Sequence, residues 1–343
     1  VETGVNDNKA GDASVLSHKP SKAGPVKSSK GLNFKSESFM PRSLNQAVYQ
    51  LALEDSSFLF GVGMAGGGKT HVPVDYALRN NMTIMAIRPK TTTSGRDPGA
   101  VKGDESKKSR PFMKSFEDVI PHILEDATLD SLEKTGVLKY GTTDFIRGRT
   151  LSNTTVIIDE AQNLTEEEAK AIITRFGQDE DERTIFVFTG DISDNQNDLH
   201  YRSPGLVFLL NHLGHAIYNL NDEKLAQACE FLHFNEQDSA ARADLMPNLL
   251  NAFNQKPSAQ IPGPDGQKKK HDHKGAESFA ESDRQKQFRA AAESNRDLAE
   301  YFLENLSENA YHRLSDEAFK RWPHLRGDKP YDHHGINQAA YAR

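Results

Sequence analysis

Residues 58–70 read Phe-Leu-Phe-Gly-Val-Gly-Met-Ala-Gly-Gly-Gly-Lys-Thr, an apolar run that leads directly into a glycine-rich loop. The last eight residues fill every fixed position of the pattern G-x-x-x-x-G-K-[ST]. In such loops backbone N–H groups surround phosphate oxygens, and glycines let the backbone come close to them. Val74, Ala77 and Leu78 favour a helix after the loop, with Pro73 in its first turn. The alternative is a glycine-rich turn that matches the pattern by chance, but such a turn would not be expected between an apolar run and a helix-forming segment. The stretch therefore predicts a strand, a phosphate-binding loop and a helix.

The side chains of this loop predict a bound nucleotide and a metal ion. Lys69 is expected to place its charge on the β- and γ-phosphates, and the hydroxyl of Thr70 to ligate Mg²⁺. Gln46, upstream of the first strand, is expected to offer its amide donor and acceptor to adenine. The residues assigned to nucleotide binding here are Gln46, Gly63, Met64, Ala65, Gly66, Gly67, Gly68, Lys69, Thr70 and His71.

Short apolar runs alternate with amphipathic segments along the middle of the chain. The runs at 83–87, 155–158 and 184–188 are typical of parallel strands covered on both faces, and 216–220 is a weaker candidate. Thr165 and Glu168 form a capping box that predicts a helix start. This alternation indicates an α/β fold with a doubly wound, mainly parallel sheet.

Two acidic residues follow one of the predicted strands. Asp159 and Glu160 end the run at 155–158, at the sheet edge where doubly wound folds bind ligands. Phosphoryl transfer to water needs a carboxylate near Mg²⁺, suited to Asp159, and a second acid that polarises the water, suited to Glu160. A simple acidic cap of the strand is the alternative. Beside a complete phosphate loop we expect the two motifs to lie on neighbouring strands.

Further polar residues near these strands predict sensing and charge stabilisation. The turn after 184–188 leads to Gln196, a candidate sensor of the γ-phosphate. Arginines at 147, 149 and 175 are candidates for stabilising charge on the transferring phosphoryl group or for gripping nucleic-acid phosphates. Of these, Arg149 and Arg175 are assigned catalytic roles together with Lys69 and Glu160. Surface salt bridges are the alternative for the arginines.

Composition limits the class of protein. The chain has 343 residues, a net charge of −7 and a sequence pI near 6.0, which disfavours wholesale wrapping of nucleic acid but allows a local basic groove. The sole cysteine, Cys229, has no partner for an intramolecular disulfide, and a buried thiol is expected. The sequence contains no apolar stretch of about 18 residues and no signal-peptide pattern at its start. A cytoplasmic location without a membrane partner is expected.

The sequence also predicts how the chain is divided. Residues 1–42 are expected to form a flexible arm, 43–254 the nucleotide-binding domain, 255–275 a linker and 276–343 a small helical appendage. Within the appendage, the apolar pattern predicts two amphipathic helices, one around 288–306 and one around 311–319, stopped at Trp322-Pro323.

The order of these motifs resembles one protein family. Gln46, the loop GMAGGGKT, Ile87-Arg88-Pro89, the run RGRTLSNTTVIIDEAQNLT at 147–165, and TGD followed by Gln196 are similar to the PhoH-like ATPases. The resemblance covers about 43–253. It implies a recA-like P-loop core that binds ATP and Mg²⁺ and assembles into homo-oligomeric rings, commonly hexamers. Some family members act on RNA or carry a nuclease domain, but no nuclease-like acidic cluster is evident here.

The resemblance also implies roles for single residues. Gln46 would contact adenine, Lys69 and Thr70 the phosphates and the metal, Asp159 and Glu160 the metal and the water, and Gln196 the γ-phosphate. The leading hypothesis is therefore an ATPase that remodels RNA or single-stranded nucleic acid. The alternatives are an ATP-dependent switch acting on a protein partner and, less well supported by Glu160 beside Asp159, a small-molecule kinase.

Overall fold

A computed structural model describes residues 31–89, 113–141, 143, 151, 153–174, 183–192, 204–234 and 283–326. The helices are α1 (Leu44–Asp55), α2 (His71–Arg79), α3 (Lys114–Ile123), α4 (Leu129–Lys134), α5 (Glu166–Ile173), α6 (Gly205–Gly214), α7 (Glu223–Ala228) and α8 (Asp283–Arg321). The strands are β1 (Phe58–Gly63), β2 (Thr83–Ile87), β3 (Leu138–Gly141), β4 (Thr154–Ile158), β5 (Thr184–Gly190) and β6 (Cys229–Phe234). Most of the predicted arm and the whole predicted linker lie outside these residues.

The described strands form one sheet in which every pairing is parallel. Their order is β3-β2-β4-β5-β1-β6, and helices cover both faces, which confirms the predicted α/β class. The expectation that the loop strand and the acidic strand are neighbours is wrong, because β5 lies between β1 and β4. Because all of these strands are parallel, their carboxyl ends still lie at one edge of the sheet. The loop and the acidic residues meet at this edge.

The sequence pattern missed two strands and wrongly predicted another at 216–220. The run at 216–220 falls on a π-helix, His215–Asn219, and its continuation, Leu220, is 67% exposed. The strands β3 and β6 at the two edges of the sheet were not predicted. A short apolar run does not by itself distinguish a strand from a helical segment, which explains the error at 216–220.

A buried apolar layer covers each face of the sheet. Along β1, Leu59 points into one layer and Phe60 into the other, as the two-residue period of a strand requires. The ring of Phe60 stacks between Phe188 of β5 and Phe231 of β6, with centroid separations of 5.0 Å and 4.8 Å. Helices α1 to α4 pack on the first face, and α5 and α6 on the second.

The C-terminal segment forms one helix, so the prediction of two helices is wrong. The polar residues 307–309 separate the two apolar stretches in sequence but do not interrupt α8. Ser307 is fully buried, and its small side chain fits where the helix meets the rest of the protein. No glycine or proline occurs at 307–309 to break the helix.

α8 packs against both faces of the sheet at the edge formed by β6. Its first buried stretch joins the layer that contains Phe60, and its second joins the layer that contains Leu59. The two stretches are Ala299, Phe302, Leu303 and Leu306, then Ala310, Tyr311, Leu314 and Ala318. Within the second stretch, Arg313 forms an ion pair with Glu230 of β6. The helix is therefore part of the core rather than a separate packing unit.

The chain just before α1 also contacts the core. The amide of Lys35 donates to the carbonyl of Ile123 at 2.9 Å, and Phe39 is buried against Trp322. The indole N–H of Trp322 donates to the carbonyl of Phe39 at 3.2 Å. None of the helices in the described part of the chain is both long enough and apolar enough to cross a membrane.

Candidate nucleotide-binding site

The glycine-rich loop after β1 depends on glycines at three positions. Gly63, Gly66 and Gly68 have φ values of 126°, 91° and 94°, in the region that favours glycine. A Cβ at Gly63 would lie 2.0 Å from the carbonyl oxygen of Phe234, so the loop starts in direct contact with the end of β6. The loop backbone is thus fixed by close approaches that only glycine permits.

Lys69 closes the loop onto its own backbone. Its Nζ donates to the carbonyl oxygens of Gly63 at 2.5 Å and Met64 at 2.6 Å. The amide of Met64 in turn donates to the carbonyl of Phe234 at 2.9 Å. His71, the first residue of α2, is partly exposed, and burial lowers the pKa of its imidazole. The loop therefore presents a lysine, a row of glycines and, at the start of α2, a histidine whose lowered pKa favours its neutral form.

Gln46 lies directly beside the loop, as the predicted adenine contact requires. Its Nε2 donates to the carbonyl of Gly67 at 2.9 Å, and its Oε1 accepts from the amide of Arg42 at 2.9 Å. A Cβ at Gly68 would lie 2.9 Å from the same Nε2. Both ends of the carboxamide are thus used to hold the loop against the start of α1, where Ser43 caps the helix.

Asp159 is the point at which the loop and the acidic strand meet. The hydroxyl of Thr70 donates to Oδ1 of Asp159 at 3.2 Å, and the hydroxyl of Thr189 on β5 donates to the same oxygen at 2.8 Å. Oδ2 accepts from the hydroxyl of Ser115 on α3 at 2.7 Å. Asp159 is only 6% exposed, so three hydroxyls from three different elements satisfy this buried carboxylate.

Glu160 has a different environment from its neighbour. Its backbone is in the left-handed region, with φ 55° and ψ 45°, an uncommon conformation for a residue other than glycine. Oε2 accepts from Nε2 of Gln162 at 2.6 Å, and Oε1 lies 3.5 Å from Nη2 of Arg88. The side chain remains 36% exposed. Such backbone strain is found preferentially at functional sites.

His233 on β6 completes the charged surroundings of the loop. Burial lowers the pKa of this imidazole to about 4, with the nearby Asp191 acting in the opposite direction and Lys69 in the same direction. The carbonyl of His233 accepts from the side-chain amide of Asn45 at 2.8 Å. At neutral pH His233 is therefore uncharged and adds no positive charge beside Lys69.

Several predicted site residues lie outside the described residues. They are Arg149, Arg175 and Gln196, and their roles stay predictions. Four residues that contact the acidic pair were given no role from the sequence: Arg88, Ser115, Gln162 and Thr189. Arg88, Gln162 and Thr189 belong to motifs noted in the sequence, Ile87-Arg88-Pro89, DEAQ and TGD. These motifs could therefore have pointed to them. Ser115 lies in no motif, and nothing in the sequence pointed to it.

The donors around Asp159 fit a magnesium ion. They are a carboxylate and hydroxyl oxygens, the hard ligands that Mg²⁺ prefers, and no thiol or imidazole is among them. Mg²⁺ is commonly held by one or two protein groups and takes its other ligands from phosphates and water. Within the described ranges no group of three or more His, Cys, Asp or Glu side chains is placed to hold a metal ion.

Comparison with known proteins places this site in a family. The family model for the PhoH-like protein matches residues 38–254. The PhoH-like protein of Mycobacterium leprae is 31% identical over 158 residues, 45% of this chain and 44% of that protein. The PhoH-like protein of Bacillus subtilis is 31% identical over 166 residues, 47% and 50% of the two chains. The PhoH-like protein of Synechocystis is 27% identical over 228 residues, which is 65% of this chain and 64% of that protein.

The chain spans less than two thirds of the length of each of these relatives. The matched residues include Gln46, the whole glycine-rich loop and the acidic pair. α8 lies beyond the match, although it packs on the matched strands. Because the family match covers more than half of the chain, the protein belongs to the PhoH-like family, a family of the P-loop nucleoside-triphosphatase type.

Proposed function

We propose that the protein is a Mg²⁺-dependent ATPase of the PhoH-like type that couples ATP hydrolysis to remodelling of RNA or single-stranded nucleic acid. One observation carries the hydrolytic part of the proposal. The hydroxyl of Thr70 in the phosphate loop donates to the carboxylate of Asp159 at 3.2 Å, although β5 separates their strands. Loop and acid therefore belong to one site.

The loop residues bind and orient the nucleotide. The backbone of 63–70 would surround the phosphates, and the Lys69 ammonium would exchange its loop carbonyls for phosphate oxygens. Gln46 already lies beside Gly67, and the second lone pair of its Oε1 allows it to accept from the adenine amino group. Thr70 and Asp159 would hold Mg²⁺. When bound, this ion neutralises charge on the phosphate oxygens as the reaction proceeds.

Glu160 is the proposed group that acts on water. Its carboxylate follows the buried Asp159 and remains partly exposed, so it is the acid of the pair that water can reach. Gln162 contacts one of its oxygens and Arg88 lies 3.5 Å from the other. A carboxylate held in this way orients a water molecule for in-line attack and accepts its proton. A kinase would transfer the phosphoryl group to a substrate and would not need this acid.

The remaining parts of the proposal concern partners. We propose that Arg149 or Arg175, in cis or from a neighbouring copy in a homo-oligomeric ring, stabilises charge on the phosphoryl group and that Gln196 senses the γ-phosphate. A cytoplasmic location is also proposed. It is supported by Cys229, the sole cysteine of the sequence, which has no partner for an intramolecular disulfide.

The hydrolytic proposal is tested by measuring phosphate release from ATP with Mg²⁺. Lys69→Ala and Glu160→Gln are expected to lower turnover by roughly 100-fold or more, since each removes charge stabilisation or water orientation. Matched controls are Lys139→Ala on the edge strand β3 and Glu167→Gln on α5, both at exposed positions, which should leave turnover unchanged. Turnover at the wild-type level in either site variant would contradict the proposal.

A second candidate function is an ATP-dependent switch that acts on a protein partner. The net charge of −7 favours it over a nucleic-acid motor. The two are separated by measuring ATP turnover with RNA, single-stranded DNA and duplex DNA at two salt concentrations. Stimulation by RNA or single strands that weakens with salt supports remodelling of nucleic acid. No stimulation by any of the three supports the switch.

A further inference from the structure

Gln162 connects the candidate water-activating acid to the end of the neighbouring strand. Its Nε2 donates to Oε2 of Glu160 at 2.6 Å, and its Oε1 accepts from the backbone amide of Asp191 at 3.2 Å. Asp191 directly follows β5, five positions before Gln196 in the sequence. We propose that Gln162 is a positioning residue that fixes the direction of Glu160 and couples it to the end of β5. This inference rests on the proposed hydrolytic function.

The chemistry of the two partners determines how the carboxamide is oriented. An ionised carboxylate only accepts hydrogen bonds, and a peptide N–H only donates. The NH₂ group must therefore face Glu160 and the carbonyl oxygen must face Asp191. Gln162 is 1% exposed, so water is not at hand to replace either bond. Loss of either partner removes one of these two restraints on the orientation of the carboxamide, which links the two contacts.

Gly190 shows that the strand end is shaped around this amide. A Cβ at position 190 would lie 2.4 Å from Oε1 of Gln162, 2.9 Å from Cδ2 of Leu206 and 3.3 Å from the amide of Ala161. The φ angle of Gly190 is not positive, so the glycine is needed for space rather than for backbone conformation. A methyl group here would clash with the carbonyl oxygen of the Gln162 side chain and with Leu206, and would push Gln162 away from its position.

The conformation of Glu160 explains why such a support is needed. Its left-handed backbone is stabilised locally by the hydrogen bond from the Asn163 amide to its carbonyl, at 2.9 Å. That bond fixes the backbone but not the side chain. Among the described contacts of the carboxylate, the one from Gln162 is the shorter, at 2.6 Å, whereas Arg88 lies 3.5 Å away. The bond from Gln162 is therefore the one that sets the direction of the carboxylate.

A kinetic double-mutant cycle tests the positioning role. Gln162→Leu and Gly190→Ala are each expected to lower kcat for ATP by roughly 10- to 100-fold, with nucleotide affinity nearly unchanged because neither residue contacts the loop. In a Glu160→Gln background, Gln162→Leu should cause no further loss, because the group that it positions is gone. A merely structural role predicts that the two losses multiply, which would overturn the proposal.

The matched control is Gln50→Leu. Gln50 is a comparably buried glutamine, 8% exposed, on α1, and makes no described contact with the acidic pair. We expect Gln50→Leu to leave kcat unchanged. A fall in kcat equal to that of Gln162→Leu would show that loss of any buried carboxamide is enough, and would overturn the proposal.

Amide hydrogen exchange tests the coupling without relying on turnover. Exchange at the Asp191 amide, measured by NMR, is expected to accelerate about tenfold in Gln162→Leu, which removes its acceptor. It should also accelerate at least about threefold in Glu160→Ala, which frees the other end of the carboxamide, but not in Gln50→Leu. Unchanged exchange at Asp191 in Glu160→Ala would overturn the coupling. If the wild type releases no phosphate from ATP, the proposed function fails, and this measurement still decides the coupling.

Discussion

Acidification should destabilise the fold through His233, which lies beside the phosphate loop. Burial of this imidazole in β6 lowers its pKa from the ordinary 6.5 to about 4, despite the opposing effect of Asp191. Protonation would place a second positive charge near Lys69, at a position where burial disfavours the charged imidazole. The native state therefore binds a proton at His233 less readily than the unfolded chain does.

The sign follows from the two pKa values. Between pH 6.5 and about 4 the unfolded chain binds a proton at this position and the native state does not, so stability falls as the pH falls. The contribution is complete above pH 6.5 and is lost as the pH falls towards 4. The gap between the values corresponds to about 3 kcal/mol, of which about 2 to 3 kcal/mol should be lost between pH 7.5 and 4.5.

Urea unfolding followed by circular dichroism across this pH range measures the effect. The comparison is between the wild type and His233→Gln, because other groups titrate in both proteins and cancel in the difference. The variant should lose about 2 to 3 kcal/mol less than the wild type. His312→Gln, with an exposed side chain on α8, serves as the control and should follow the wild-type curve. Parallel curves for wild type and His233→Gln would refute the argument.

Two further predictions concern metal binding and the packing of α8. Ser115→Ala removes the hydroxyl that donates to Asp159, and should weaken Mg²⁺ binding roughly tenfold, measured as the Mg²⁺ dependence of binding of a fluorescent ATP analogue. An unchanged Mg²⁺ dependence would count against a role for Ser115. Phe302→Ala, at a fully buried position, should cost about 3–5 kcal/mol in urea unfolding. Leu298→Ala, 44% exposed, should cost less than about 1 kcal/mol, and equal losses would contradict the described packing of α8.

The sequence was sufficient to predict the fold class and that the glycine-rich loop and Asp159 come together. The loop at 63–70 has fixed spacing because phosphate binding demands it, and the strand before Asp159 is an uninterrupted apolar run because both of its faces are covered. These constraints are local in sequence. The position of β5 between β1 and β4 is set by how helices pack across the whole sheet, and no local pattern reports it.

The features that the sequence analysis missed or predicted wrongly all depend on contacts between distant parts of the chain. β6 contains Glu230 and His233, so its pattern is weaker than that of a central strand, yet α8 buries Glu230 through its ion pair with Arg313. The two apolar stretches of α8 were predicted as separate helices, but the helix continues through 307–309, where burial of Ser307 comes from long-range packing. Ser115 of α3 reaches Asp159 through a contact between residues 44 positions apart. Each missed feature depends on a distant part of the chain.

The central claim is that the phosphate loop and Asp159 hold one metal–nucleotide complex. It is tested most directly by electron paramagnetic resonance of Mn²⁺, used in place of Mg²⁺, with a non-hydrolysable ATP analogue. The wild type should bind Mn²⁺ only weakly without the analogue and tightly with it. Asp159→Asn should weaken the binding in the ternary complex by roughly tenfold or more, while leaving metal-free binding of the analogue unchanged. Equal Mn²⁺ affinity in the wild type and Asp159→Asn would contradict the account.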